Sequence, residues 1–351
     1  MRDKFIISIV IIIIVLFGGV LALKDKDNKK LNQIDNSGKI KSVNLSTDYE
    51  IDQALRDIDD LNVNTVNVPI VIEIPTLTSN EMKIDKYSKE KAIRLIKKLK
   101  ASNINVILEA YPWINNGSDY ETEFNPEDKE KFFEDWKGIL DNLIDEVANK
   151  YDVDIIITAS NFNRLESYEN QWIDIIEHVK EKFNGLVTYK TSWWYTAKWD
   201  EESIKKYNEK LNNKIFSVVD FISIAAYFEL SDKRENTVED LEKCLSSTEL
   251  YNRNQNIVEE IHNFYEKYNK EIYFGELGFP RRDYASMHPW DSNVSNLENN
   301  KEQARGFEAY GNVFWNKDYI KGFSVFAVGK KGKDKNFYPS KESIDVISNW
   351  R

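Results

Sequence analysis

From residue 39 onward the chain alternates between short runs of β-forming, apolar residues and longer stretches in which apolar positions recur every three or four residues. The strand-like runs are Ile40–Leu45, Thr65–Ile74, Asn105–Tyr111, Val153–Thr158, Leu186–Ser192, Phe221–Ala226, Ile272–Phe274 and Gly322–Val328. The stretches between them predict helices, with clear patterns over Lys89–Leu99, Glu130–Lys150, Gln171–Phe183 and Ile257–Tyr268. Within Glu130–Lys150, Phe133, Trp136, Ile139, Leu140, Leu143, Ile144 and Val147 make one apolar face at the helical period. Strict alternation of strand and helix predicts a parallel sheet, because each crossover must return the chain to the start of the next strand. Eight such units predict one (β/α)8 TIM barrel over residues 39–351. A doubly wound open sheet is the rival. It ordinarily brings a glycine-rich phosphate turn, and neither GxGxxG nor a Walker sequence occurs.

A different pattern precedes the barrel. Phe5–Leu23 is an uncharged apolar run of 19 residues, long enough to cross a bilayer, and it predicts a transmembrane anchor within residues 1–23. A cleaved signal peptide is the alternative. No A-x-A-like site follows, however, and the run exceeds the usual ~7–15 apolar residues of such peptides. No cysteine follows for a lipid anchor. Arg2 and Lys4 precede the span while Lys24, Lys26, Lys29 and Lys30 follow it, so positive charge leaves the orientation open. Residues 24–38 are polar and rich in Lys, Asn and Asp, which predicts a flexible linker.

Composition narrows the chemistry. Hydrophobic residues make up 41% of the 351, which is ample for a large core and argues against disorder. The net charge of −11 speaks against a nucleic-acid partner. Cys244 is the only cysteine, so no internal disulfide can form. His178, His262 and His288 are far apart and make no HxxH or HExxH pair; no metal and no cofactor is expected.

Barrel enzymes carry their chemistry at the C-terminal ends of the strands. In EIYFGELGFP, Glu271 to Pro280, a strand delivers Glu276 between Gly275 and Gly278; a plain ion pair with Arg281 or Arg282 is its structural alternative. Strand three ends in Glu109, Tyr111 and Trp113, and strand five runs into Ser192, Trp193, Trp194 and Tyr195, with Trp199 and Asp200 beyond. Strand six ends in Tyr227, Phe228 and Glu229, and the loop after strand seven holds Tyr284, His288, Trp290 and Asp291. Aromatic faces beside carboxylates suit a sugar, whose C–H face stacks on indole while its hydroxyls bond to acids. The alternative is that these tryptophans cap the core, as Trp136, Trp172, Trp315 and Trp350 are expected to do from their helical patterns.

Several segments carry a resemblance. DFISIAAYFELS (Asp220–Ser231), EIYFGELGFP, HPW (His288–Trp290), QARGFEAY (Gln303–Tyr310) and the terminal FYPSKESIDVISNW resemble glycoside hydrolase family 113, retaining β-mannanase-type enzymes on clan A barrels. The likeness spans most of residues 39–351 and is more specific in the second half. It implies that Glu276 is the nucleophile. It also implies an acid/base Glu at the end of strand four, where this chain reads DIIITASNFNRLESYENQW and places Ser160 or Asn161. Glu166, six residues past Ser160, is one candidate substitute if it swings inward, and Glu109 and Glu229 are others. The structural alternative for Glu166 is a helix N-terminal charge partnered by Arg164. Trp113, Ser160, Asn161, Trp193, Trp194, Tyr227, Glu229, His288 and Trp290 are expected to line the substrate.

The expectation is a membrane-anchored retaining hydrolase, single-pass in the cell membrane with a monomeric barrel outside, acting on a β-linked, mannan-like or cell-surface poly- or oligosaccharide. The alternative is an impaired barrel that binds glycan without cleaving it. A purely structural scaffold explains the aromatic loops poorly.

Overall fold

Each apolar run becomes a strand whose two faces meet different surroundings, and that difference sets up the site. In this computed structural model, which describes residues 38–330 and 335–350, eight parallel strands form the sheet. They are β1 (Ile40–Leu45), β2 (Thr65–Ile74), β3 (Asn105–Ile114), β4 (Ile155–Ser160), β5 (Leu186–Ser192), β6 (Ile222–Ala225), β7 (Ile272–Leu277) and β8 (Ile320–Val328). Each pairs with its neighbour in the chain, and β8 pairs back onto β1, so the sheet closes into a barrel. A two-residue strand, Lys83–Ile84, pairs antiparallel with the end of β2.

The helices are α1 (Ile51–Asp60), α2 (Lys86–Ala101), α3 (Lys129–Leu143), α4 (Glu169–Lys182), α5 (Glu201–Leu211), α6 (Ile215–Val218), α7 (Val238–Ser246), α8 (Ile257–Tyr268), α9 (Asn300–Phe314) and α10 (Lys341–Ser348). Side-chain caps start many of them: Asp85, Asp128, Asp200, Asn256, Asn299 and Ser340 each accept a bond from an otherwise unpaired backbone N–H, and Thr237 forms a capping box with Asp240. The helical pattern over 130–150 divides, with α3 ending at Leu143 and a π turn covering Ile144–Ala148. All seven apolar positions read from that pattern are buried.

The main hydrophobic core lies between strands and helices. Val66, Val68 and Ile70 of β2 join Leu95 and Leu99 of α2, while Val187 and Tyr189 of β5 join Trp172 and Ile176 of α4. The lumen holds polar side chains instead. Ser42 on β1 lies 2.5 Å from the Tyr273 hydroxyl on β7, and Asn44 donates to the Gly275 carbonyl at 2.8 Å. Strands β1 and β7 are not neighbours, so these contacts cross the barrel interior.

The expected transmembrane helix and linker fall within residues 1–38, of which 1–37 lie outside the described residues. Among the described residues, no helix is long and apolar enough to cross a membrane.

Candidate active site

Strand parity explains why a lysine sits inside an apolar strand. In LVTYKTS, Val187 and Tyr189 face the helices, and so does Thr191, which meets Lys210 of α5; Lys190 therefore turns into the lumen. Its side chain is 1% exposed, and its Nζ lies 2.8 Å from Glu109 Oε1 on β3 and 2.5 Å from Glu276 Oε1 on β7. A buried ammonium is tolerable only with such partners. Burial works against its charge, but Glu109 and Glu276 outweigh that and hold the ammonium above the ordinary lysine range. The other Glu109 oxygen accepts from Asn67 Nδ2 at 2.6 Å, and Asn67 in turn bonds Asn44.

Glu276 reaches the lumen through a break in register. Ile224 faces Phe274 while Ala225 faces Glu276, so Gly275 is an extra residue in β7. Such a bulge re-aims the next side chain. Phe274 packs outward against Tyr310 and Phe323, whereas Glu276 turns inward to Lys190 and accepts from the Tyr227 hydroxyl at 3.0 Å. The bulge needs a glycine, because a Cβ there would collide with Ser223 Oγ and approach Lys190 Cδ to 3.1 Å. Burial, and then the Glu276 charge, push the Tyr227 phenol well above its usual value, which keeps it a hydrogen-bond donor. Arg281 and Arg282 bond Lys335 O and Asn336 Oδ1, so neither serves as a partner that would make Glu276 a plain loop tether.

The end of β4 meets the β3–α3 loop. Asn161 takes a left-handed conformation, φ 55°, which asparagine tolerates better than most residues. Its Nδ2 donates to Glu121 Oε1 at 3.2 Å, and its Oδ1 lies 3.2 Å from Ser192 Oγ. Glu121 begins the short turn Glu121–Glu123. Two further contacts hold that loop against the one after β4: Glu123 pairs with Arg164 at 2.7 Å, and the Phe124 ring lies 5.6 Å from Phe162. Burial first, and the Glu276 charge second, push the Glu121 carboxyl up to about 7. Burial, followed by the charges of Glu121 and Glu276, also raises the neighbouring Tyr111 phenol well above its usual value. Ser160 is buried, and its hydroxyl has no hydrogen bond among the described residues.

The structure corrects the expectation for Glu166. Its carboxylate accepts from Thr191 Oγ1 at 2.9 Å and pairs with Lys210 Nζ at 2.8 Å, on the helix side of β5. Thr191 and Lys190 are adjacent in one strand and point to opposite faces, so Glu166 lies on the far side of β5 from Glu276. Its expected partner Arg164 is taken by Glu123.

Trp194 also differs from expectation. It is 6% exposed, packed against Tyr207, Phe228 and Phe264, and its Nε1 donates to Glu260 at 2.7 Å. Trp193 is half-buried beside an open groove of about 760 Å³ that Asn163, Glu166, Tyr195, Lys210 and the edge of Trp194 also line. None of Lys190, Tyr227 or Glu276 lines that groove, so its size does not make it the centre of chemistry. Trp113 borders a second groove of about 600 Å³ with Glu73, Met82 and Asn116.

Glu229 is fully engaged. Arg253 donates to it at 2.6 Å, His288 Nδ1 lies at 2.9 Å and Trp290 Nε1 donates at 3.0 Å. This clamp ties the loops after β6 and β7 together and leaves Trp290 47% exposed at the rim. The residues missed from sequence are Lys190 and Glu121. A lone cation inside a strand pattern marks the first, but the loop around Glu121 has no pattern of its own.

A model described as Glycoside Hydrolase Family 113 matches residues 43–343. One similar solved structure is a GH113 β-1,4-mannanase complex, with a TM-score of 0.68 at 20% identity, covering 89% of this chain and 98% of that one. Another is the GH113 β-mannanase AaManA from Alicyclobacillus acidocaldarius in complex with ManMIm, with a TM-score of 0.69 at 17% identity over 89% and 96%. A Ruminococcus gnavus β-glucuronidase in complex with D-glucuronic acid scores 0.55 at 10% identity, over 89% of this chain and 49% of that one. At these identities the structural likeness concerns the fold. No curated protein sequence matches the chain.

Proposed function

We propose, from the premise that this chain belongs to glycoside hydrolase family 113, that it cleaves a β-linked mannan-like glycan with Glu276 as a covalent nucleophile. The observation that carries the reading is Glu276 itself. It is a 7% exposed carboxylate, turned into the barrel mouth by a glycine bulge and oriented by Tyr227 and Lys190. A retaining hydrolase needs such a carboxylate beside the anomeric carbon. The Tyr227 hydroxyl bonds Glu276 Oε2 and the Lys190 ammonium contacts Oε1, so both oxygens are held in place, each keeping a further lone pair for attack. Trp113 and Trp290, at the rim, offer apolar faces for sugar rings. The similar GH113 structures are β-1,4-mannanases, which supports the choice of sugar.

The second reading is a barrel that holds glycan without cutting it. It is favoured by one observation, the absence of a carboxyl side chain at Ser160 and Asn161 on the end of β4. Anchoring through Phe5–Leu23, with the barrel outside the cell where polysaccharide lies, belongs to the same proposal and rests on the sequence. Resistance of the full chain to alkaline carbonate extraction from membranes tests the anchor.

The test of chemistry uses the full chain in detergent with a 2,4-dinitrophenyl β-mannoside. Turnover is expected in the parent and at least about 10³-fold less in Glu276→Gln, as for the loss of a group that makes the covalent bond. Equal rates in parent and variant would remove Glu276 from the reaction. No turnover in either, with oligosaccharide binding retained, would select the binding barrel.

A further inference from the structure

We propose that Glu121, delivered from the β3–α3 loop and hydrogen-bonded to Asn161 at the end of β4, is the general acid and base of this site. The proposal rests on the hydrolase reading above. It answers the question which that reading leaves open, namely what protonates the leaving oxygen when β4 supplies only Ser160 and Asn161.

The other carboxylates near the mouth are committed elsewhere. Glu109 is tied to Lys190 and Asn67 within the lumen. Glu229 accepts from Arg253 and Trp290 and pairs with His288. Glu166 faces the helices with Lys210, and Glu123 is held at the surface by Arg164. Lys190 cannot serve as a proton donor near neutrality, because Glu109 and Glu276 hold its proton. Glu121, in contrast, makes no ion pair among the described residues. Its one side-chain partner is a neutral amide, which orients the carboxyl without removing its ability to bind a proton.

The electrostatics fit the role. Three carboxylates, Glu109, Glu121 and Glu276, share one buried cation, Lys190, whose ammonium directly contacts only the first and last. Glu121, the one carboxyl without an ammonium contact, is therefore the best placed of the three to retain a proton. Burial and the Glu276 charge raise it to about 7, the range that suits an acid on one step and a base on the next. The loop that carries it is fixed at three points to the β4 loop, by Glu121–Asn161, Glu123–Arg164 and Phe124–Phe162. Asn161 is thus a positioning residue: β4 no longer carries the acid but holds the one that replaces it.

In the first step a Glu276 oxygen bonds to the anomeric carbon, the glycosidic C–O bond breaks, and the Glu121 proton passes to the leaving oxygen. In the second, Glu121 carboxylate takes a proton from water while the water oxygen bonds to the same carbon. The ester to Glu276 breaks, and both carboxyl groups return to their starting states.

The experiment compares the full-length parent with Glu121→Ala and Glu121→Gln on mannooligosaccharide and on 2,4-dinitrophenyl β-mannoside, with and without azide. Folding of each variant is checked by circular dichroism. On oligosaccharide, whose leaving group needs a proton, kcat/KM is expected to fall ~10²–10⁴-fold in both variants. On the dinitrophenyl glycoside kcat/KM is expected to change only a few-fold. Azide is expected to accelerate Glu121→Ala and to give β-mannosyl azide of retained configuration. The parent's kcat/KM is expected to fall as pH rises through about 7, and that limb is expected to vanish in Glu121→Gln. A folded Glu121→Ala that cleaves oligosaccharide like the parent, or that loses both substrates equally and ignores azide, would overturn this proposal alone. A parent that neither turns over the dinitrophenyl glycoside nor forms a glycosyl ester at Glu276 with a 2-deoxy-2-fluoro-mannosyl fluoride would overturn the hydrolase reading together with it.

Discussion

Replacing Lys190 by methionine keeps most of the side-chain volume and removes the one cation that bridges Glu109 and Glu276 at 2.8 and 2.5 Å. Both carboxylates are buried, so the variant must either hold two unpaired negative charges in the lumen or take up a proton. Breaking a buried pair by removing one member costs about 3–5 kcal/mol. For a domain of this length that corresponds to a fall in Tm of roughly 5–8 °C. The sign of the pH dependence follows from which group has moved. In the parent, the folded-state Lys190 value is raised, so its contribution is complete below the unfolded lysine value of ~10.4 and is lost as pH rises through the folded one. In Lys190→Met, taking up a proton relieves the repulsion between the two buried, unpaired carboxylates, so the deficit is expected to shrink as pH falls from 7 toward about 5. Urea unfolding of parent and variant at pH 7.5 and pH 5 measures this. Adding Glu109→Gln to the variant removes one orphaned charge and is expected to recover at least about 1 kcal/mol. A deficit below about 1 kcal/mol at pH 7.5, or one that acidification leaves unchanged, would refute the claim that the lumen is organised by this ion triad.

Three further variants separate the catalytic lumen from its surroundings. Glu166→Gln weakens the contact with Lys210 and Thr191 and is expected to cost about 1–3 kcal/mol in unfolding measurements, with kcat/KM on the dinitrophenyl glycoside unchanged. A large loss of turnover at full stability would return Glu166 to the site. Trp194→Ala is expected to lower stability by about 3–5 kcal/mol because the indole fills the core beside Phe264. Trp290→Ala gives up one hydrogen bond to Glu229 and is expected to cost only about 1 kcal/mol of stability, while raising KM for oligosaccharide about two- to tenfold through the loss of a stacking face worth about 0.5–1.5 kcal/mol. Reversed effects at the two tryptophans would show that rim and core have been exchanged.

The barrel was legible in the sequence because its signals are local. A strand that is buried on both faces reads as an apolar run, and a helix that covers it reads as a stripe; both periods survive without knowledge of the partner. Three strands, Ile40–Leu45, Thr65–Ile74 and Leu186–Ser192, have the bounds read from pattern alone. Strand β3 runs on to Ile114, past the expected Tyr111, because its ladder with β2 continues through Ile74. Strand β4 starts and ends two residues later than expected, since its ladder with β3 begins only at Ile155.

The candidate site was legible only where chemistry coincides with a strand end. Glu276 stands out because GELG puts a carboxylate between glycines, and Tyr227 because it closes an apolar run. Glu166 misled because the face on which it lies is set by its partners across β5, on a strand some 25 residues later. The twin tryptophans 193 and 194 are neighbours in sequence, yet only packing against Tyr207 and Phe264 assigns Trp194 to the core.

By itself the sequence determined the number and order of the units, the absence of disulfides, and the strand end that presents Glu276, all of which follow from residue type and short-range period. Only the tertiary structure decided that one extra glycine turns Glu276 inward, that Lys190 sits between two acids, and that Glu121 meets Asn161 from 40 residues away. Those are contacts across the lumen and between loops. Their energies depend on distance and burial, which no local pattern of residues encodes.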